Sequence, residues 1–477
     1  MKRSVRIACI ALLASGTVFA AKPTTIPDQA VQDATRLRNT AGKDTTAWKF
    51  VTDLTTEIGP RLAGSEADAR AREWVIERFK ALGFDKVWTE PVTYPKWVRR
   101  HESGAIVAPF PQPLVLTALG YSAGTPAGGL TAELVQVADL DALKAADPAT
   151  LKGKIVYMDF AMKSTLDGAD YGKASAIRTM GPPLAAEKGA AAFLLRSAGT
   201  DRHQRIAHTG VTGFRDPTQA IPAAAISNPD ADQIQRILAY DKPVRVHLDL
   251  DVGFEGEYTG ANVIAELTGS KRPKEIVVIG GHLDSWDLGT GAIDDAAGVA
   301  IAAAAGHLIS RLPQRPDRSI RVIAFANEEM GIWGGRAYAE AHKKEIAQHV
   351  LGFESDLGAA PLWRLSASVK PEARDAIKQM ADVIGRIGVQ LDPERPGGGG
   401  PDLSPMHALG MAALSLPQSA KEYFDWHHTA NDTLDKIVPK HLAQNVAVYA
   451  ALTYMAAQAK GDFGSAPGAF AQDGDAE

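Results

Sequence analysis

The apolar positions follow two rhythms along the chain. From about residue 260 onward, short apolar runs alternate with longer segments of helical period. The runs predict strands at 275–280, 319–326, 349–354 and 411–416, and the longer segments predict helices near 296–312, 334–347, 371–387 and 440–459. Strand–helix alternation of this kind gives an α/β fold, with a mixed, mostly parallel sheet between helices. Upstream, a helical pattern begins at Trp48 and breaks at Gly59-Pro60 and Gly64-Ser65. A second helix is expected from Glu66 to about Leu82, with Trp74, Ile76, Phe79 and Leu82 as its buried stripe and Gly83 as its stop, and Lys86–Tyr94 alternates as a strand. Between 104 and 255 the pattern changes to short strand-like pieces separated by Pro/Gly loops, with one short helix near 230–239. This segment reads as an inserted β-rich domain. Residues 21–45 are polar and read as loosely held, and the Gly/Ala/Asp tail 461–477 reads as disordered.

Length and composition narrow this picture at a few points. A chain of 477 residues is expected to hold two or three domains. With 51 basic and 56 acidic side chains, there is no electrostatic case for a nucleic-acid partner. The first six residues are basic, Ile7–Ala14 is apolar, and Val18-Phe19-Ala20-Ala21 ends in small residues. That order predicts a signal peptide over 1–20, cleaved near Ala20/Ala21, and a secreted or periplasmic mature chain with no membrane segment; an uncleaved anchor is the alternative. Cys9, the single cysteine, lies inside this leader. Disulfides and thiolate metal ligands are therefore excluded from the mature chain, and any metal must be held by His and carboxylates, which suits zinc or a harder divalent ion.

The candidate chemistry gathers where apolar strands end. Ile276–Ile279 runs into Gly280–Gly298, which carries His282 and four acids among glycines. Taken alone, this stretch reads equally well as a polar loop with Asp294 or Asp295 capping the next helix. Two further apolar runs lead into Asn327-Glu328-Glu329 and Glu354-Ser355-Asp356, and a later loop holds His427 and His428. In a parallel sheet these strand ends converge on one edge, and acids massed there repel one another unless a cation holds them. A two-metal hydrolase needs an imidazole and a carboxylate for each ion, a bridging carboxylate, and a free carboxylate to take a proton from water. Adjacent Glu328 and Glu329 suit a division between ligand and base, and Asp284 is placed to accept the second N–H of His282. His203 and His208 are isolated in a polar loop and read as solvated, and His307 reads as a surface or half-buried helix residue. No Gly-x-Ser-x-Gly elbow is present, so a serine nucleophile is disfavoured.

These segments, namely His282-Leu283-Asp284, Asp294–Gly298, Asn327-Glu328-Glu329, Glu354-Ser355-Asp356 and His428–Thr433, together with Pro60–Ser65, resemble those of the M28 family of zinc peptidases. The resemblance runs from about 46 to 460 and implies the zinc exopeptidase fold, with 46–103 and 256–460 forming the peptidase domain and 104–255 similar to an inserted protease-associated domain. It also implies two Zn2+ ions per chain. Asp294 would bridge them, His282 and Asp356 would complete one, and Glu329 and His428 the other. Glu328 would be the general base, Asp284 would orient His282, and Asp295 would cap the helix. His427 competes with His428 for one role; the family ligand directly precedes Thr/Ser-x-x-Asp-Thr, which favours His428. The function implied is hydrolysis of dipeptides or short peptides, with an aminopeptidase acting on longer peptides as the alternative. A non-catalytic receptor and a single-zinc cyclase of the glutaminyl cyclase type are more distant rivals. Gly397–Gly400 is either a loop lining the cleft or a plain linker, Trp286 and Tyr423 either line the pocket or only pack, and a homodimer stays open.

Overall fold

The computed structural model describes residues 22–214 and 216–471, so the leader expected over 1–20 and its cleavage point lie outside the described residues. The centre of the molecule is the strand Arg272–His282, flanked by Arg318–Phe325 and His349–Glu354, both parallel to it. Ala413–Ser415 adds a further parallel strand beyond His349–Glu354, while Arg364–Ser368 lies antiparallel to Ala413–Ser415 and Arg245–Leu267 antiparallel to Arg318–Phe325. The sheet is therefore mixed and mostly parallel at its middle, as the alternation of elements predicts. The central strand shows why. Val277 and Ile279 face one apolar cluster with the helices Ala297–Ser310 and Pro439–Gln458, and Ile276 and Val278 face another with Trp333–His342 and Ser404–Ala408. A strand buried on both faces must be apolar throughout. The helix Ala297–Ser310 is covered by the sheet on one side and by further helices on the other, so its near-continuous run of Ala, Val and Ile is a core composition.

Residues 109–244 are joined to this sheet by two long strands. Lys86–Ala108 and Arg245–Leu267 pair antiparallel along most of their length, with register shifts near Pro95/Trp97 and Arg99/His101 that bend the ribbon. The positions 103/104 and 255/256 therefore fall inside continuous strands. The far end of the ribbon carries Leu130–Val137, and the parallel strands Ile155–Met158, Ala192–Arg196 and Ala223–Ile226 follow from it.

The structure differs from the pattern-based expectation at several elements. Residues 28–41, expected to be loose, form the helix Asp28–Ala41, whose Ala30, Ala34, Leu37 and Ala41 are buried against the core. The tail is packed as far as it is described: Phe463 is fully buried, and Ala466 N donates to Gly410 O. Tyr171–Glu187 is a helix despite its Gly-Pro-Pro, because Pro182 and Pro183 fall in its last turns and it is anchored by Ile177 and Ala185. In the helix Glu66–Ala81 the buried positions are Ala71, Val75 and Phe79, whereas Trp74 and Ile76 are only half-buried. The larger side chains drew the expected stripe one position too far round.

Candidate active site

His282 is the last residue of the central strand, opposite Phe325 of the adjoining one. Beyond Phe325 the chain turns through Asn327, which is left-handed (φ 53°), and delivers Glu328 and Glu329. Beyond Glu354 it delivers Asp356. The loop after His282 closes at Gly291, also left-handed (φ 59°), where a Cβ would stand 2.3 Å from Ser285 Cβ. An irregular turn, Ala292–Ala296, then presents Asp294 and Asp295 at the start of the core helix. The three strand ends and this turn meet at one edge of the sheet.

At this edge the imidazoles and carboxylates form a chain of close approaches. His282 Nε2 is 3.1 Å from Asp294 Oδ1 and 3.5 Å from Asp356 Oδ1. The other oxygen of Asp294 is 3.4 Å from His428 Nε2, which is itself 2.9 Å from Glu329 Oε2. Asp294 thus stands between the two imidazoles with one oxygen toward each. His427 stacks on His428 at 3.5 Å between ring centroids and also faces Asp294 Oδ2 at 3.5 Å. Both histidines therefore reach the site, but only His428 also meets Glu329.

Hydrogen bonds orient these groups. His282 Nδ1 lies 3.0 Å from the backbone carbonyl of Asp284, and His428 Nδ1 lies 3.1 Å from that of Thr209. An N–H on each Nδ1 leaves Nε2 with its lone pair facing carboxylate oxygens. The Asp284 carboxylate has backbone partners as well as its place beside His282. It lies 3.7 Å from His282 Nδ1 and accepts from Glu328 N (3.0 Å) and Glu329 N (3.4 Å), tying the strand end that carries the two glutamates to the His282 loop. Asp295 accepts from Gly298 N in the first turn of the core helix and from His282 N, so it joins a cap to the ligand-bearing strand.

Burial pushes the carboxyls of Asp294, Glu328 and Glu329 up, and neighbouring carboxylates add to the rise. Burial lowers the proton affinity of His282, but Asp284, Asp294 and Asp356 outweigh it and raise it, whereas burial lowers that of His428. Asp294 Oδ2 and Glu329 Oε1 are buried with no hydrogen-bond partner. Lone pairs aimed at carboxylates, orphaned buried oxygens and an excess of acid over base are the features that bound divalent cations would resolve. The donor set of His nitrogen and carboxylate oxygen fits zinc.

The inserted segment contributes more than sequence reasoning found. His208, expected to be solvated, is buried, and its Nδ1 lies 2.7 Å from His427 O. Thr209 N donates to His428 O at 3.0 Å, which with the Nδ1 contact holds His428 in a left-handed conformation (φ 62°). Arg178 and Tyr171 line the same cleft, of about 340 Å³, together with Glu328, Asp356 and Tyr423. No spacing in the sequence ties residues 171–209 to 428, so these partners are visible only in three dimensions. Arg61, part of the early Gly-Pro turn, is fully buried and donates to the carbonyls of Leu283, Thr290 (2.7 Å) and Gly291 (2.9 Å).

An α/β sheet with a His/carboxylate cluster at its carboxyl edge presents a candidate metal site, and the comparisons with known proteins give its class. The profile of Peptidase family M28 matches residues 262–453. Carboxypeptidase Q from Mus musculus is 31% identical over 404 residues, covering 85% of this chain and 84% of its own. Aminopeptidase YwaD from Bacillus subtilis is 26% identical over 475 residues, covering 96% of this chain and 94% of its own. The crystal structure of a peptidase M28 precursor from Shewanella amazonensis superposes with a TM-score of 0.89 at 47% identity, covering 92% of this chain and 99% of the other. The chain belongs to the M28 peptidase family.

Proposed function

We propose that this protein is a di-zinc exopeptidase that hydrolyses dipeptides or short peptides, with Glu328 as the general base. The observation that carries the reading is Asp294, whose two oxygens face His282 Nε2 at 3.1 Å and His428 Nε2 at 3.4 Å, as a carboxylate bridging two ions must. In this arrangement His282 and Asp356 would hold one zinc, Glu329 and His428 the other, and Asp294 both. Zinc held by these residues would supply Lewis acidity, lowering the pKa of a bound water toward about 7 and polarising the peptide carbonyl.

The remaining roles belong to the chain's own groups. Glu328 lines the cleft beside Asp356 without being a member of the His–carboxylate chain. Its carboxylate takes the proton of the attacking water and passes it to the departing amine nitrogen. Burial and the charge of Asp356 raise its proton affinity, which suits a group that must carry that proton between two atoms. Asp284 fixes the backbone of Glu328 and Glu329, and Asp295 fixes that of His282. Tyr171, Val211, Ile332 and Phe424 give the cleft an apolar wall that shields the reacting groups from bulk water. The closeness of the inserted segment to His428 supports short substrates over long ones, and the basic, apolar and small-residue leader supports export of the mature chain.

The test is turnover of dipeptides, N-blocked dipeptides and tripeptides with and without chelator, alongside metal analysis. The expected results are two zinc per chain, loss of turnover on chelation, and a Glu328→Gln variant that keeps zinc and fold but loses kcat by at least about a hundredfold. Turnover that survives complete metal removal, or full turnover in Glu328→Gln, overturns the mechanism.

A further inference from the structure

Arg99 stands at a bend of the two-stranded ribbon, and its guanidinium is buried although it does not line the catalytic cleft. Its three nitrogens reach three parts of the chain. Nε donates to both oxygens of Asp287, at 3.1 and 3.0 Å. Nη1 donates to Glu102 Oε2 (2.7 Å), Thr117 Oγ1 and Ala118 O (2.9 Å), and Nη2 donates to Thr209 Oγ1 (3.1 Å). Burial opposes the charge, but Asp287 and Glu102 outweigh it, so the proton affinity of Arg99 is raised. Two of these partners lead to the metal edge. Asp287 lies in the loop between His282 and Asp294. Thr209 brackets His428, donating from N to His428 O (3.0 Å) and placing its own carbonyl 3.1 Å from His428 Nδ1. Trp286, the neighbour of Asp287, fills the space between. Its ring lies 5.7 Å from that of His428, and its far edge rests on Gly120, where a Cβ would stand 2.5 Å from Trp286 Cη2. Gly120 is in turn bonded through its backbone to Gly210 (3.0 Å) and Thr212 (2.9 Å). Trp286 Nε1 is buried without an acceptor, so contact shape and the anchored Asp287 hold this ring.

We propose that Arg99 is a positioning residue that sets the separation of the two metal half-sites, holding the His282 loop through Asp287 and the His428 loop through Thr209. The proposal rests on the di-zinc reading and deepens it, because it makes residues 109–244 part of the scaffold of that centre. A carboxylate bridges only ions about 3.5–4 Å apart, so the two imidazoles must be kept at one distance. His282 is fixed by the central strand, whereas His428 sits on a loop in a left-handed conformation (φ 62°) and needs a hold from outside. The acceptors lie in different directions, which suits the planar fork of arginine and no other side chain.

The experiment measures zinc affinity by chelator competition, together with kcat and KM for Ala-Ala. Arg99→Met is expected to weaken zinc binding by at least about tenfold and to lower kcat more than it alters KM, because the side chain does not line the cleft. Asp287→Asn and Thr209→Val cut one arm each and should each weaken zinc binding. In the Arg99→Met background the same two substitutions should add less than about twofold, since the connection is already cut. Leu143→Ala is the control: it opens a cavity in an apolar cluster that contains no residue of the metal edge, so it should destabilise the fold and leave zinc affinity unchanged. Wild-type zinc affinity in Arg99→Met, full additivity of the two arms in that background, or an equal loss in Leu143→Ala overturns the proposal. Should Arg99→Met fail to fold, Arg99→Lys takes its place. Amide hydrogen exchange over 283–291 and 426–433 in zinc-free protein reads the same hold without metal. Faster exchange in both segments is expected in the Arg99 variant and in neither for Leu143→Ala, and unchanged exchange in the Arg99 variant overturns the proposal. Fewer than two zinc in the wild type, or no hydrolysis of any peptide, overturns the di-zinc peptidase reading alone, and the exchange comparison still decides the role of Arg99.

Discussion

Replacing Arg61 by Met should unfasten the catalytic loop from beneath. The guanidinium is fully buried and donates to the carbonyls of Leu283, Thr290 and Gly291, which bracket the turn between His282 and Asp294. Each hydrogen bond from a charged donor contributes about 1.5–3 kcal/mol. Methionine fills most of the stem volume but leaves three buried carbonyls unpaired. Local relaxation and entry of water recover part of the loss, so a net cost of about 3–5 kcal/mol is expected. Arg61→Lys keeps the charge, reaches fewer carbonyls with its single ammonium, and should lose roughly 1–3 kcal/mol. The charge matters as well as the fork. Burial lowers the proton affinity of Arg61, and the carboxylates of Asp432, Asp284, Asp295 and Asp294 oppose that fall. Zinc held by Asp294 would offset part of that negative charge, so the cost of Arg61→Met should be larger in chelated protein than in zinc-loaded protein. The assay is the urea midpoint and slope of both forms, with zinc affinity measured in parallel. A variant within about 0.5 kcal/mol of wild type in both forms, with unaltered zinc affinity, refutes the argument.

Two further outcomes are expected. Burial lowers the imidazole of His349 to about 3 and that of His208 to about 4, against about 6.5 for the unfolded chain, so both are neutral in the folded protein. Their contribution to stability is present above pH 6.5 and is lost as pH falls toward those values, at about 1.4 kcal/mol per pH unit for each. His349→Gln should flatten the slope of stability below pH 6.5, and an unchanged slope contradicts the assignment. Gly298→Ala should push the metal edge apart, because its Cβ would stand 2.0 Å from Ser355 O and 2.2 Å from Asp295 Oδ2, both backing groups of the site. Overpacking there should cost about 1–3 kcal/mol and weaken zinc binding by at least about tenfold, and wild-type zinc affinity in that variant counts against it.

The sequence by itself determined the sheet and where its chemistry lies. A strand buried on both faces must be apolar, as Ile276–Ile279 is, so the central strands and the small-residue helix behind them were legible from composition and period. The acids and His282 were legible because polar residues that end such strands collect at one edge of a parallel sheet. Three-dimensional contact decided what local pattern does not encode. Asp284 ties down the glutamate strand end through backbone N–H groups, and any acid two residues after His282 looks the same in sequence. The helix at 28–41 and the tail at Phe463 pack through small or single apolar residues whose partners lie hundreds of positions away. His208 and Thr209 meet His427 and His428 across 219 positions. Periodicity reports which face of an element is buried; which distant surface covers that face, and which buried donor or charge then finds a partner, is set by the packing of the whole chain.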